Sequence, residues 1–447
     1  MDRVVEAFVR GLQLDAYLVG GAVRDELLDL DSKDADFVVP GVDYDGLRRA
    51  LEPHGRVEDL EVAGRRVGAR LYPRDRKVRA AAPAGIEFAP PRAERSTGPG
   101  RHDFEIVADP TLSIEADMAR RDFTVNAIAR RLETGELIDP FNGELDLQNG
   151  VLRAVSARSF AEDPLRIVRG LRLVSQLGLT PDDATLQQMR ADARNVALVS
   201  GERIGGGLHS DGMGELSKLL LGREPRRAFE LARETGVFVV LLPELEPAVG
   251  FEQDSDRQHL PLDDHIFAVV QAAGDAGASL PVRLGALLHD AGKPGANGDH
   301  AERGARITKD VLTRLRYPTR LREYVTRLVR AHSFPLDHVD ELFARRFLRD
   351  HGEELALDLV AHKEADLHGK RVGQAELDAA ARLRGLLAQE RDRPHRLQDL
   401  AVDGGDLLAL GYDEGPELGR VLESLLDAVV DDPSLNTREQ LLDRARP

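Results

Sequence analysis

The sequence contains no cysteine and no tryptophan among its 447 residues. The lack of cysteine excludes disulfides and thiolate metal sites. Aromatic residues make up only 4% of the chain, so extensive stacking of bases on aromatic platforms is not expected. No apolar run approaches the roughly 20 residues that span a bilayer, and the N-terminal stretch MDRVVEAFVRGLQLD lacks the apolar core of a signal peptide. These absences predict a cytoplasmic protein with no membrane partner.

Basic residues are also fewer than acidic ones, and the formal net charge is −17. That balance argues against a generally basic nucleic-acid binder, and no DNA partner is expected. A local basic groove can still lie on an acidic body, and arginines do cluster. The pair Arg120-Arg121 and the row Arg166, Arg169 and Arg172 are the clearest examples.

The hydrophobic pattern predicts an α+β fold. Strand-like runs alternate with helical patterns over residues 1–155, which indicates a mixed sheet with helices. The runs are AYLVG, DFVVPG, GIEFAP and FEIVAD. From about Ser159 to the C-terminus, apolar residues recur at three- and four-residue spacing, which predicts an elongated, mostly helical body.

Three carboxylates in the first part of the chain could bind a cation. Asp34 and Asp36 lie in DADFVV, a strand pattern that places residues i and i+2 on one face. Neighbouring carboxylates repel unless cations hold them, and their oxygens suit Mg²⁺. Glu87, on a predicted neighbouring strand, could supply the third carboxylate. The alternative is a solvated strand edge.

The turn before these aspartates contains Gly20-Gly21, followed by Arg24 in the first turn of a predicted helix. It fits neither G-x-G-x-x-G nor G-x-x-x-x-G-K-[ST]. The glycines let a backbone approach a ligand closely, and helix N-terminal amides favour phosphate. An arginine at this point opposes the helix dipole, which makes a phosphate partner plausible. The alternative is a packing turn with a surface arginine.

Five motifs follow one another along the chain: LVGGAVRD, KDADF, RRDFTVNAIA, IDPFNGELDLQNGVLRAV and FAEDPLRIVRGLRL. Together they resemble the bacterial class of tRNA nucleotidyltransferases, the CCA-adding enzymes, which are close relatives of bacterial poly(A) polymerases. The resemblance implies that Asp34 and Asp36 bind Mg²⁺ and that Gly21, next to Gly20, and Arg24 hold a triphosphate. It also implies that Arg121, Asp122 and Asn126 help to seat the nucleotide. By its pattern alone, RRDFTVNAIA indicates a capped helix with one exposed basic end.

Asp163, Arg166, Arg169 and Arg172 recur every three residues along one side of a predicted helix. A solvated charged face is the alternative explanation of such a row. Cytosine and adenine both present an amino donor beside a ring-nitrogen acceptor, so an aspartate and an arginine together can select them. Uracil and guanine carry N–H at that ring nitrogen and would face an arginine donor to donor. The resemblance implies this role for Asp163 and Arg166, and ribose or phosphate contacts for Arg169 and Arg172.

A second constellation lies further along the chain. Its histidines and aspartates are His265, His289-Asp290, His300, His332 and Asp366. These are standard metal ligands, and the adjacent His-Asp pair can bridge one or two ions. With HDAGK among them, they resemble the HD phosphohydrolase superfamily. The resemblance implies a divalent transition metal on His265, His289, Asp290 and Asp366, and imidazole would accept Ni²⁺, Mn²⁺, Zn²⁺ or Fe.

These inferences divide the chain into a nucleotidyltransferase head or palm, a nucleotide-selecting and RNA-contacting neck, an HD body and a helical tail. The predicted bounds are 1–155, 156–250, 251–370 and 371–447. The predicted activity is addition of C, C and A to the 3′ end of tRNA from CTP and ATP, by two-metal phosphoryl transfer with pyrophosphate release. An additional HD phosphohydrolase activity is also expected.

Three other functions remain open. A poly(A) polymerase, a chiefly HD-type phosphohydrolase and an RNA-binding module without catalysis each fit part of the sequence. The loop RSTGPGRHD favours full CCA addition within the resembled family. In contrast, the Gly-rich stretch GERIGGGLHSDGMGELSKLL interrupts a usually continuous helical motif.

Overall fold

The computed structural model describes the chain over residues 1–31, 35–62, 64–96, 104–206, 213–253, 259–295, 298–370 and 372–446. Most of the loop RSTGPGRHD lies outside these ranges. Two compact units divide the chain, Met1–Pro243 and Glu244–Pro447. This division tests neither the bounds nor the functions of the four predicted segments, which therefore stay predictions. None of the helices in the described ranges combines the length and apolarity that a bilayer crossing requires.

A seven-stranded mixed sheet forms the centre of the first unit, with the strand order β3-β4-β5-β2-β1-β8-β9. Only the β2–β5 pair is parallel among the described strands of this sheet. Two further pairs, β6–β7 and β10–β11, lie outside it. The strands are β1 Tyr17–Val19, β2 Asp36–Val38, β3 Gly55–Val62, β4 Arg65–Pro73, β5 Ile86–Ala89, β6 Arg92–Ser96, β7 Phe104–Ala108, β8 Ala129–Arg131, β9 Leu137–Ile138, β10 Val151–Leu152 and β11 Thr180–Pro181.

The sheet is covered on both faces, and alternation along its strands explains how. Leu18 and Phe37 belong to one apolar cluster, which includes residues of the N-terminal helix. Val19 and Val38, their neighbours in sequence, belong to the cluster on the other face. Asp36 is two residues before Val38 and so lies toward that second face. The predicted strands AYLVG, DFVVPG, GIEFAP and FEIVAD are all confirmed.

Helices of the first unit begin where the sequence supplies N-caps. Asp2, Asp43, Asp75, Ser113 and Asp182 each accept a hydrogen bond from a backbone N–H of the first turn. The helices are α1 Arg3–Gly11, α2 Gly21–Leu27, α3 Tyr44–Leu51, α4 Arg76–Ala81, α5 Ile114–Ala119, α6 Gly143–Gln148, α7 Ser159–Glu162, α8 Leu165–Leu177, α9 Asp183–Asp192, α10 Glu215–Leu220, α11 Pro225–Glu234 and α12 Val237–Leu241.

Helix α8 carries the row of arginines on one side and a buried stripe on the other. The stripe, Ile167, Val168, Leu171 and Val174, is almost wholly buried. Gly170 lets Phe123 approach the helix, since a Cβ there would lie 2.8 Å from the phenylalanine Cζ. The helix is therefore fixed against the segment that follows α5.

In the second unit the described residues form helices joined by loops, with no strand among them, as the spacing predicts. Pro416 directly follows Gly415 at the start of α21, where the fixed φ of proline suits the first helical turn. The helices are α13 Leu262–Asp275, α14 Leu280–Leu288, α15 His300–Arg314, α16 Thr319–Ala331, α17 Glu341–His351, α18 Glu353–His368, α19 Gln374–Glu390, α20 Gly404–Ala409, α21 Pro416–Asp431 and α22 Arg438–Arg444.

Candidate functional site

A cavity of about 660 Å³ in the first unit collects the residues that the sequence singles out there. It lies against the sheet face of Val19 and Val38 and against α8. Asp34 lies outside the described residues. Every other predicted residue of the head and neck lines the cavity: Gly20, Gly21, Arg24, Asp36, Glu87, Arg121, Asp122, Asn126, Asp163, Arg166, Arg169 and Arg172.

The charge of this cavity is opposite to that of the chain. Nine arginines and one lysine line it, against six carboxylates, a formal excess of four positive charges. The whole chain carries a formal charge of −17. A basic cavity on an acidic protein attracts a polyanion such as a triphosphate, because its walls concentrate the field.

The glycine turn is shaped by a close approach of Arg121. Gly20 has a φ of +72°, and a Cβ on it would lie 2.6 Å from the Arg121 Nη1 atom. Arg24 is buried rather than on the surface, which rules out the surface-arginine alternative. Its Nη1 donates to Asn126 Oδ1 at 2.6 Å, and its Nε and Nη2 donate to Asp25.

Asp122 is the centre of a buried network. Its Oδ1 accepts from Asn126 Nδ2 at 3.0 Å and from the Phe123 N–H at 2.8 Å, and its Oδ2 accepts from Arg169 Nε at 2.7 Å. Burial alone would raise the pKa of Asp122, but the charge of Arg169 and these hydrogen bonds outweigh it and lower the pKa. Because Asn126 also accepts from Arg24, the turn and α8 are joined by one chain of hydrogen bonds.

The segment RRDFTVNAIA is not the capped helix that its pattern indicates. A single 3₁₀ turn, Thr124–Asn126, precedes strand β8. Its basic end is not exposed either, since Asp117, itself wholly buried, accepts hydrogen bonds from Arg120 and Arg121. Backbone pairing of Phe123 with Ala154 and of Ala129 with Val19 of β1 overrides local helix propensity here. Asp117 was not predicted as a site residue, and only its position three and four residues before the two arginines could have indicated it.

Two carboxylates lie side by side on the sheet. Asp36 and Glu87 are register partners on the parallel strands β2 and β5, so their side chains share a face. Asp36 is exposed toward the cavity. Glu87 accepts hydrogen bonds from Arg70, which balances its charge. Carboxylate oxygens on adjacent strands that line one cavity fit a hard divalent cation such as Mg²⁺.

The predicted base-reading pair faces the cavity from the start of α8. Arg166 is held by backbone and hydroxyl oxygens, since its Nη1 donates to Ser159 Oγ at 3.1 Å and its Nη2 to the Arg120 carbonyl at 2.7 Å. Asp163 is engaged by Arg203, whose Nη2 lies 2.8 Å from Asp163 Oδ2. The predicted row is therefore not a solvated charged face, and its first member, Asp163, has an extended backbone and precedes α8 instead of lying on it.

Glu215 is a further carboxylate of this cavity, and it was not predicted from the sequence. It is buried, it accepts a 2.6 Å hydrogen bond from Arg172 Nε, and it lies 3.5 Å from Arg169 Nη1. It lies within the Gly-rich stretch, where no local pattern indicates its role, and only the tertiary fold places it beside α8.

In the second unit, four predicted ligands converge. His265 Nε2 lies 3.3 Å from His289 Nε2 and 3.2 Å from Asp366 Oδ1. Asp290 Oδ2 lies 3.0 Å from His289 Nε2 and 3.5 Å from His265 Nε2. The sequence predicts His265, His289, Asp290 and Asp366 as ligands, and the fold brings all four together from α13, the end of α14 and α18.

The donor set fits a divalent metal ion. Backbone carbonyls of Gly369 and Ala286 lie 3.1 and 2.9 Å from the Nδ1 atoms of His265 and His289, so Nδ1 carries the proton in each ring. Each Nε2 then faces the other histidine and carboxylate oxygens, and a cation there, either a metal ion or a proton, relieves the repulsion among these acceptors. Burial lowers the pKa of His289, but the charges of Asp290 and Asp366 raise it to about 9. The site thus favours positive charge.

Two more predicted histidines surround the other oxygen of Asp290. His300 Nε2 and His332 Nε2 each lie 3.7 Å from Asp290 Oδ1, and these three residues form a second group that could hold an ion. His362 is wholly buried beside them, its ring 5.0 Å from that of His289. His362 was not predicted, and its signal in the sequence is its place one helical turn before Asp366.

Comparisons with known families divide the chain in the same order. A family model described as "Poly A polymerase head domain" matches residues 16–153. One described as "Probable RNA and SrmB- binding site of polymerase A" matches residues 178–249. The "HD domain" model matches residues 262–401. Head and HD domain together imply dependence on divalent metal ions.

Curated relatives extend over nearly the whole chain. The chain is 33% identical over 440 residues to a "Multifunctional CCA protein" of Ralstonia nicotianae, covering 93% of each. It is 36% identical over 443 residues to one of Leptothrix cholodnii, covering 93% of this chain and 96% of the relative. It is 37% identical over 332 residues to one of Neisseria gonorrhoeae, covering 71% of this chain and 74% of the relative.

Solved structures share the fold. The CCA-adding enzyme of Bacillus stearothermophilus in complex with CTP has a TM-score of 0.71 at 23% identity, covering 99% of this chain and 95% of that one. The Thermotoga maritima CCA-adding enzyme complexed with tRNA has a TM-score of 0.57 at 20% identity, covering 99% and 93%. The predicted α+β fold class is thereby confirmed.

Proposed function

Because the chain belongs to the family of multifunctional CCA proteins, we propose that it is a nucleotidyltransferase that adds C, C and A to the 3′ end of tRNA. CTP and ATP are the nucleotide substrates. The observation that carries this proposal is the basic cavity, which every described residue predicted for the head and neck lines. A cytoplasmic location, where tRNA and nucleoside triphosphates occur, is part of the same proposal.

In the proposed reaction, the 3′-hydroxyl of tRNA attacks the α-phosphorus of the bound nucleotide, and pyrophosphate leaves. Arg24 and Arg121, beside the Gly20-Gly21 turn, bind the triphosphate. Asp34 and Asp36 would hold Mg²⁺, which when bound supplies stabilisation of the charge on the attacking and leaving oxygens. Pre-organisation is the chain's own contribution: the buried network fixes the arginines before the nucleotide arrives.

Base selection is assigned to the start of α8. Asp163 accepts a hydrogen bond from the amino group of cytosine or adenine, and Arg166 donates to the ring nitrogen. Ser159 and the Arg120 carbonyl anchor Arg166, so its guanidinium is rigid. Arg169 and Arg172 address the ribose and phosphates from the next turns. Glu87, paired with Arg70, is proposed as the third carboxylate of the catalytic group.

The test uses a tRNA transcript that ends before CCA and offers each labelled nucleotide singly and in mixtures. Addition of C, C and A, and no further, supports the proposal. A long A tail from ATP alone would instead identify a poly(A) polymerase. Asp36→Ala should abolish incorporation, and Asp45→Ala, a matched change at an exposed aspartate of the same unit, should leave it unchanged.

A second activity, phosphohydrolysis at the HD site, is favoured by the four converging ligand residues of the second unit. His265, His289, Asp290 and Asp366 would hold a divalent transition metal ion. Such an ion supplies a nucleophile at neutral pH by lowering the pKa of bound water. The chain's backbone carbonyls keep both histidines in the tautomer that a metal requires.

This second activity is tested by phosphate release from 2′,3′-cyclic nucleotides, after chelation and reloading with Ni²⁺, Mn²⁺, Zn²⁺ or Fe²⁺ in turn. Asp290→Asn should abolish release and leave CCA addition intact. His338→Ala, at an exposed histidine of the same unit, should change neither activity. If Asp36→Ala also removed the HD activity, the two sites would not be independent, which would contradict the proposal.

A further inference from the structure

The Gly-rich stretch that interrupts the helical pattern brings two charged residues into the nucleotide cavity. Arg203 lies in a π-helical turn, Glu202–Gly206, and Glu215 begins α10. The turn and the helix are adjacent, since the Gly214 N–H donates to the Gly205 carbonyl at 2.8 Å. Widened π turns insert an extra residue into a helix and occur often at functional sites. Both side chains point to α8 and its start.

Arg203 binds the Asp163 carboxylate through both Nη atoms of its guanidinium. Its Nη2 lies 2.8 Å from Asp163 Oδ2, and its Nη1 lies 3.3 Å from Oδ1. A bidentate guanidinium–carboxylate pair has a defined plane, and it therefore fixes the direction of the carboxylate. The Leu165 N–H also donates to Oδ1, at 3.1 Å. Asp163 is thus held from two sides.

The pairing with Arg203 leaves Asp163 able to accept another hydrogen bond. Each carboxylate oxygen can accept two, and among the described residues only Arg203 donates to Oδ2. An amino group of a base can therefore approach Oδ2 while Arg203 stays in place. Both side chains are partly exposed to the cavity, so the approach is open.

Glu215, at the other end of the stretch, acts on the same helix. It pairs with Arg169 and Arg172, which lie one and two turns beyond Arg166. Residues on both sides of the interruption are thus built into the cavity wall, which a mere surface insertion would not require.

We propose that Arg203 is a positioning residue for base selection, holding the Asp163 carboxylate in the plane where Oδ2 meets an amino group and repels a carbonyl oxygen. The inference rests on the proposed function. A freely rotating Asp163 could turn away from the O4 of uracil or the O6 of guanine, and discrimination would fall. Arg203 acts through Asp163 and touches no reacting atom.

The experiment compares steady-state addition of the first nucleotide, from CTP and from UTP, by the full chain on tRNA lacking CCA. Arg203→Gln should reduce kcat/KM for CTP about 10- to 100-fold, because one or two of the hydrogen bonds that orient Asp163 are lost. It should also lower the CTP-to-UTP ratio at least about tenfold. Arg203→Lys keeps the charge but not the bidentate plane, and it should also lower that ratio. Arg194→Gln, at an exposed arginine of the same unit, is the control.

The outcomes are distinguishable. If the wild-type chain adds neither C nor A, the proposed function fails and the inference falls with it. If the wild type adds CCA and both variants keep the wild-type CTP-to-UTP ratio, the inference alone is overturned, even when total activity falls. Circular dichroism checks that each variant folds. If Arg203→Gln does not fold, Arg203→Lys decides the question. A lowered CTP-to-UTP ratio in that variant supports the positioning role of Arg203, and an unchanged ratio overturns it.

Discussion

The buried carboxylate of Asp122 connects the glycine turn to α8, and Asp122→Asn tests whether that connection stabilises the head. The substitution keeps the size of the side chain and removes its charge. An asparagine can still accept from the Phe123 N–H or from Asn126 with its one oxygen. Its amide N–H, in place of Oδ2, would face the Nε–H of Arg169, which in the wild type lies 2.7 Å from an acceptor.

The magnitude follows from the hydrogen bond and the ion pair that the substitution removes. A hydrogen bond to a charged group contributes about 1.5–3 kcal/mol, and removing one partner of a buried ion pair costs more. Arg169 is 36% exposed, so water compensates part of its loss. We expect the free energy of opening this region to fall by about 2–3 kcal/mol, equivalent to about 30- to 160-fold in an equilibrium constant.

Hydrogen exchange with mass spectrometry measures this change locally. Peptides covering α8 and residues 122–131 should lose protection by that factor in Asp122→Asn, and peptides of the second unit should not. Asp183→Asn, at an exposed aspartate of the same unit, should change protection by less than about 0.5 kcal/mol. Unchanged protection in α8 would refute a stabilising role of the buried network.

The same variant has a defined pH dependence. Because the pKa of Asp122 is lower in the folded state than in the unfolded chain, its stabilising contribution is complete above the unfolded value, about 3.9. It is lost as the pH falls further through the folded value. The difference in protection between wild type and Asp122→Asn should therefore be constant from pH 7 to about 5 and narrow below about 4. A difference that grew on acidification would have the wrong sign.

Three other changes test the packing and the metal site. Gly170→Ala places a Cβ 2.8 Å from Phe123. The overpacking should cost about 1–3 kcal/mol of stability, against about 1 kcal/mol gained from the higher helix propensity of alanine. The net loss should be measured as faster hydrogen exchange in α8. Leu441→Ala, in the fully buried cluster of the C-terminal helices, should cost about 2–5 kcal/mol and raise exchange only over residues 400–446. Chelation of the metal-loaded protein should lower the melting temperature of the second unit by about 5–10 °C, since about 2.7 kcal/mol of binding linkage is lost at a 100-fold excess over Kd. In Asp290→Asn the same treatment should have no effect.

Local patterns were sufficient for most secondary structure. The apolar runs around Leu18, Phe37 and Phe88 predict strands because alternating burial on two faces of a sheet leaves a visible period. The stripe on α8 predicts its buried side for the same reason at helical spacing. The prediction was wrong for RRDFTVNAIA, where pairing of Phe123 with Ala154 and of Ala129 with Val19, and not local propensity, decides the conformation.

Candidate site residues were predicted by chemistry and by resemblance, and their partners were not. The sequence indicates that Asp163 and Arg166 can read a base, but it does not indicate that Arg203 holds the first and that Ser159 anchors the second. The contact between Arg203 and Asp163 joins residues far apart in the chain, and such contacts have no period. They depend on how separate elements pack, which the order of residues does not display.

The order of residues was enough to establish the fold class, the succession of head and HD motifs, and the residue types able to bind phosphate, base and metal, because these depend on local periodicity and side-chain chemistry. Which of those groups meet was settled by the packing of distant segments. The fold places Asp36 beside Glu87 on parallel strands and brings Glu215 to α8. It also brings the Nε2 atoms of His265 and His289 to 3.3 Å from each other. At Glu215, His265 and His289, burial strengthens the interaction of a charge that finds a partner and penalises one that does not.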